Sequence, residues 1–152
     1  MKALVVYVSV HHGNTEKIAR VLAKVLRAEL LRLDEVDAET SITHDVVGFG
    51  SGIYFSRIHK SLLRFVSELP KVNRGKAFIF STSGFGLGCH QPLRRKLSEK
   101  GFEVIGEFVC KGFCDYGPFK LVGGINRGRP NEEDMQKAET FAREILLKTK
   151  QI

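Results

Sequence analysis

The residues best suited to chemistry lie where an apolar run, Val5 to Val8, gives way to Ser9, Val10, His11, His12, Gly13, Asn14 and Thr15. After Thr15, apolar side chains recur at Ile18, Val21, Leu22 and Val25, which is helical spacing, while Lys17, Arg20, Lys24 and Arg27 fall mainly on the other side. A strand therefore feeds a small polar loop, and the loop opens onto a helix N-terminus. Such a terminus presents unpaired N–H groups and the positive end of the helix dipole, to which Ser9, Asn14 and Thr15 add side-chain donors. A phosphate group suits that cradle. His11 and His12 fit phosphate contact or simple exposure better than metal binding or acid catalysis, because adjacent histidines point in different directions and no carboxylate neighbours them.

Two further stretches carry the same signature of small residues after an apolar run. In the first, Gly50, Ser51 and Gly52 are followed by Ile53, Tyr54 and Phe55, which places large apolar side chains beside unrestricted backbone. That combination suits a flat aromatic ligand, with glycine peptides at its edge and Tyr54 or Phe55 against its face. At least one of Ile53, Tyr54 and Phe55 is expected to pack into the core instead. A Gly52 peptide free to rotate its carbonyl toward such a ring would tune it. In the second stretch, Thr82, Ser83, Gly84, Phe85, Gly86 and Leu87 offer hydroxyls and backbone N–H groups to the polar edge of the same ring.

The elements that position these loops alternate. Lys2 to Val8, 29–33, 45–50, 76–81 and 102–110 read as strands; Asn14 to Ala28, His59 to Leu69, Gln91 to Lys100 and the segment after Asn131 read as helices. Pro70 and Gly101 close two of the helices, and Asn131 can cap the last one, with Glu132, Glu133 and Asp134 complementing its dipole. Near-continuous apolar strands mark a parallel sheet covered on both faces, hence an α/β, doubly wound, three-layer sandwich. All three small-residue loops follow strand carboxyl ends and converge on one site.

Ser9 with Gly13-Asn14-Thr15 resembles the phosphate-binding loop of the flavodoxin family, with one more residue between Ser9 and Gly13 than the shortest family form. The resemblance runs through Gly52-Ile53-Tyr54-Phe55, His59 to Leu63, and the segment Gly112 to Pro130 with Tyr116-Gly117-Pro118-Phe119 and Gly123-Gly124. It covers nearly the whole chain and implies the short-chain type, because the fifth strand carries no long insertion. It also implies a five-stranded parallel sheet in the order 2-1-3-4-5, an order that flavodoxin itself exemplifies, with the ligand at the switch point between strands 1 and 3. The implied cofactor is FMN: its phosphate on Ser9, His11, His12, Gly13, Asn14 and Thr15, its ring on Gly52 to Phe55 and Thr82 to Leu87. The chain lacks the Gly-x-Gly-x-x-Gly pattern of a dinucleotide site. Receiver domains and low-molecular-weight phosphatases share this fold, but the acidic pair of the first and the Cys and Arg of the second are missing from the first loop.

Composition bounds the function. At 152 residues, 43% hydrophobic and 27% charged, the chain is expected to form a single domain over 1–152. No apolar run is long enough to span a bilayer, and the start does not read as a signal peptide, so a cytoplasmic, membrane-free protein is expected. Cys89, Cys110 and Cys114 make neither a disulfide framework nor a zinc site. The formal charge of +7 is spread over helix faces without a nucleic-acid motif. Family carriers are typically acidic, so this charge points to a redox partner with an acidic surface. No substrate motif, metal site or catalytic side chain emerges, which favours an electron carrier, monomeric or homodimeric. The alternative is an FMN-dependent NAD(P)H:quinone or flavin reductase.

Overall fold

A computed structural model describes residues 1–10, 13–114 and 117–150. The main strands are β1 (Ala3–Val8), β2 (Glu29–Arg32), β3 (Val46–Tyr54), β5 (Gly75–Ser83) and β6 (Phe102–Lys111), with a two-residue β4 (Arg57–Ile58). The helices are α1 (Asn14–Leu26), α2 (Ala38–Ser41), α3 (Lys60–Ser67), α4 (Gln91–Glu99) and α5 (Glu132–Lys150). The sheet order is β2-β1-β3-β5-β6, with β4 joined to β3 alone. All pairs on the main path are parallel; β3 and β4 form an antiparallel hairpin. Allowing for that hairpin, this is the expected doubly wound order.

Each face of the sheet has its own core. Val5, Tyr7, Phe78, Phe80 and Phe108 pack under α1 and α5, through Ile18, Leu22, Phe141 and Ile145. Leu4, Val6, Phe49 and Ile79 pack under α3 and α4, through Leu62, Val66, Leu93 and Leu97. Alternating strand residues thus serve opposite layers, which is why both parities are apolar. Asn131 caps α5 as expected: its Oδ1 accepts from the Asp134 amide at 3.0 Å, and the Asp134 carboxylate takes the Asn131 amide at 2.8 Å. Arg129 grips the same carboxylate, donating from Nη2 at 2.7 Å.

The second loop differs from its sequence reading. Gly50, Ser51 and Gly52 belong to β3, which continues to Tyr54, and Gly50 pairs with Phe80 in the ladder. A Cβ at Gly50 would lie 2.0 Å from Phe80 Cζ, so this glycine is a slot for an aromatic ring. Gly52 pairs with Thr82, and its carbonyl accepts the Ser51 hydroxyl at 2.6 Å. A rotation of that carbonyl toward a ring would exchange this bond for one to the ligand. The tight turn falls later, at Phe55 (φ 50°) and Ser56 (φ 62°), both in the left-handed region.

Candidate functional site

The carboxyl ends of β1, β3 and β5 bring the three loops together. Gly13 takes φ 65° and starts α1. Ser9 Oγ accepts from the Glu16 amide at 3.4 Å, closing the loop over the helix start. His11 and His12 lie outside the described residues. Asn14 and Thr15 are buried and face inward: Asn14 Nδ2 donates to the Phe113 carbonyl at 2.8 Å, and the Thr15 and Thr82 hydroxyls are 2.9 Å apart. These side chains therefore tie the first loop to β5 and to the segment after β6. Asn14 Oδ1 is buried with no hydrogen-bond partner among the described residues. A buried acceptor left open costs about 1–3 kcal/mol, so it marks a place for a ligand donor.

Gly112 completes this corner and was not singled out by sequence reasoning. A Cβ there would lie 2.7 Å from Asn14 Nδ2, so only glycine lets the chain after β6 approach the first loop this closely. Its amide donates to the Ser83 carbonyl at 3.1 Å. The available signal was a glycine directly after the last strand, opening the segment to Pro130 that carried part of the family resemblance.

The other loops build an apolar wall. Ile53 is buried in the core, as expected of one residue in its group; Tyr54 folds back so that its hydroxyl would lie 2.5 Å from a Cβ on Gly52, and Phe55 stands exposed at the hairpin tip. Thr82 and Ser83 end β5, and Ser83 Oγ accepts the Phe85 amide at 3.3 Å. The Gly84 carbonyl accepts the Asn126 side chain. Phe85 meets Phe119 edge-on, with ring centroids 5.4 Å apart. Between these parts lies a cavity of about 370 Å³ lined by Ile53, Phe55, Ser83, Phe85, Leu87 and Phe119, among others. A smaller void of about 20 Å³ shares Ile53, Ser83 and Gly84 with it and reaches Asn14, Thr15, Thr82 and Gly112. The two voids adjoin along one groove, with hydroxyl-bearing side chains at the end beside the start of α1 and aromatic ones at the rim. Gly86 turns the third loop at φ 72° beside Lys111.

A second polar cluster sits beside this site, and nothing in the sequence pattern announced it. Ser81 Oγ and His90 Nε2 are 2.7 Å apart, His90 Nδ1 and Glu107 Oε1 are 3.0 Å apart, and Arg94 Nη2 reaches both Glu107 oxygens at 2.7 Å. Burial holds the His90 imidazole below its usual range, against the pull of Glu107. With Glu107 ionised, Nδ1 carries the ring proton and Nε2 accepts the Ser81 hydroxyl. The geometry has the order of a hydrolase triad, but Ser81 is fully buried in β5. It joins α4 to β5 and β6. Elsewhere, burial pushes the Cys110 thiol up to about 12. Among the described residues no group of three or more His, Cys, Asp or Glu side chains could hold a metal ion, and no helix is long and apolar enough to cross a membrane.

The sheet order and the three loops at its switch point define a flavodoxin-like α/β protein. The flavodoxin domain model matches residues 4–122, and the chain belongs to that family. An uncharacterized protein of Methanocaldococcus jannaschii is 51% identical over 149 residues, spanning 96% of this chain and 99% of that one. Among solved structures, the chain is similar to the TIGR4 flavodoxin of Streptococcus pneumoniae (TM-score 0.74, 20% identity, 97% of this chain and 99% of that one). It is likewise similar to oxidised flavodoxin 1 of Bacillus cereus (TM-score 0.73, 21% identity, 97% and 98%).

Proposed function

We propose that the groove binds FMN and that the chain works as an electron-transfer protein. The observation that carries this reading is the adjacency of a small void at the buried Asn14 and Thr15 to an aromatic cavity of about 370 Å³, a volume within the usual range for a small-molecule site. The backbone N–H groups of Gly13, Asn14 and Thr15 at the helix start, with the Ser9 hydroxyl, would hold the phosphate end. The open Asn14 Oδ1 is an acceptor left for a ligand hydroxyl. Ile53, Tyr54, Phe55 and the run Thr82 to Leu87, with Phe119, would enclose a ring and exclude water from its faces. When bound, FMN supplies the capacity to take up and release electrons. The ring cavity is walled by apolar side chains, serine hydroxyls and the Cys89 thiol, groups that hold a ring rather than exchange protons with a second substrate. That supports a carrier over a reductase.

Fluorescence titration tests the reading. FMN emission should be quenched at one equivalent per chain, and FMN should bind at least about tenfold more tightly than riboflavin, because an anion at a helix start contributes on the order of 1–2 kcal/mol. Absence of quenching would rule out the cofactor. Rapid bleaching of the bound flavin by NADH or NADPH, with turnover on quinones, would replace the carrier with the reductase.

A further inference from the structure

Most of the large apolar side chains that the protein exposes gather at this one end of the sheet. Leu121 is 90% exposed and Phe55 72%, and Val10, Phe85, Leu87 and Val122 are exposed with them. They come from the segments that follow β1, β3, β5 and β6: Phe55, Phe85 and Leu87 line the ring cavity with Phe119, Val10 shares a neighbouring surface pocket with Phe55, and Leu121 and Val122 follow Phe119 closely in the chain. Scattered exposed apolar residues need no explanation, but a contiguous set around a cavity marks an interaction surface.

The charge around that set, among the described residues, is mainly positive. Arg57, Lys60, Lys111, Lys120 and Arg127 are all exposed beside it. None of the five forms an ion pair among the described residues; Arg127 instead binds the Gly123 carbonyl and lies 5.9 Å over the Phe113 ring. The carboxylates at the β2 side of this end, Asp34 and Glu35, share a single cation, Arg32, at 3.4 and 3.3 Å. Some of the positive charge elsewhere is diluted: on α5, Lys137 pairs with Glu133 and Arg143 with Glu139.

We infer that this apolar rim with its cationic border is the docking face for an acidic protein, one that presents carboxylates around an apolar contact. The inference rests on the electron-carrier reading, which requires a protein partner at the ring end of the groove. A border with an excess of cations opposes a second copy of the chain and attracts an oppositely charged surface. Such complementarity accelerates encounter and falls with ionic strength, while the aromatic and aliphatic centre supplies the contact energy.

The test uses a plant-type ferredoxin as an acidic probe and basic cytochrome c as its opposite, titrated into the chain before and after FMN addition and followed by amide NMR. Ferredoxin should move the amides of Phe55, Arg57, Lys60, Leu87, Lys120 and Leu121. Binding should weaken as salt rises, and Lys60→Glu with Lys120→Glu should weaken it about tenfold or more. Leu121→Ser should weaken it without changing the salt slope. Lys24→Glu with Lys137→Glu, on α1 and α5, should change it less than twofold. Equal loss in both charge-reversed pairs, no ferredoxin binding, or preference for cytochrome c would overturn the proposal. So would dimerisation through this face, or co-sedimentation with phosphatidylglycerol vesicles in place of ferredoxin binding. A chain that docks ferredoxin but does not quench FMN would overturn the cofactor alone; one that binds FMN but not ferredoxin would overturn the docking face alone.

Discussion

Two polar clusters lie side by side at the carboxyl end of the sheet, and they are finished to different degrees. In the Ser81–His90–Glu107–Arg94 cluster the imidazole has a partner on each nitrogen and the carboxylate is gripped by Arg94. In the Asn14–Thr15–Thr82–Gly112 corner the backbone comes as close as a glycine permits, yet Asn14 Oδ1 is left buried and open. A satisfied buried network rigidifies; an unsatisfied one costs free energy until something completes it. The first is therefore read as structure and the second as a ligand site, and substitutions in each should give opposite patterns of stability and affinity.

The largest effect is expected from His90→Leu. It strands the Ser81 hydroxyl and removes a partner of Glu107 inside the fold, so urea unfolding should show a loss of about 2–4 kcal/mol. FMN affinity in the still-folded variant should change less than about threefold, or roughly 0.6 kcal/mol. A large affinity loss with little change in stability would put His90 in the ligand site and dissolve the distinction.

Asn14→Leu should do the reverse. It gives up the bond to the Phe113 carbonyl, worth about 1 kcal/mol, but also removes an open acceptor whose burial costs a similar amount. Stability without ligand should therefore stay within about 1 kcal/mol of the parent, while FMN affinity falls about tenfold, or 1.4 kcal/mol. Isothermal titration beside a urea curve reads both; a variant that unfolds more easily yet binds FMN as before would make Asn14 a purely structural tie.

The contrast also separates what sequence could reveal from what it could not. The sheet order, the two apolar faces and the Asn131 cap follow from local patterns: alternation, helical spacing, and a capping residue three before an acid. The cradle at Ser9 to Thr15 was legible as a strand running into a polar loop and a helix start. What stayed hidden depends on residues distant in the chain. Asn14 meets Phe113 across 99 positions and Ser81 meets the Glu107 network through His90, and neither contact leaves a periodic trace. The extent of β3 was misjudged for a related reason. The reading ends the strand at residue 50 because small residues follow, whereas Ser51 and Gly52 go on pairing with Ser81 and Thr82 of the neighbouring strand.

The smallest expected effect is on pH dependence, and it tests whether the closed cluster is held by a neutral imidazole. Burial lowers the His90 pKa, and Glu107 does not reverse this because Arg94 already neutralises its carboxylate. In the unfolded chain the imidazole titrates near an ordinary value of about 6.5, so on acidification the unfolded state takes up the proton first. The stability contributed by neutral His90 is then fully present above that value and is lost as pH falls through it toward the folded pKa. His59, also lowered by burial and by Lys60, adds a loss of the same sign. Glu107 and Asp134 act in a lower window: each is held below the usual carboxylate range because arginine bonds outweigh the cost of burial. Their contribution is present above the unfolded carboxylate pKa and disappears as pH drops through their folded values. Urea midpoints from pH 8 to pH 3 should therefore fall in two steps. The slope of the first should not exceed about 1.4 kcal/mol per pH unit for each histidine involved. In His90→Leu the first step should shrink to the His59 part while the acid step remains. An undiminished first step would mean that His90 is already charged in the folded protein, with Nε2 donating to Ser81 instead of accepting from it.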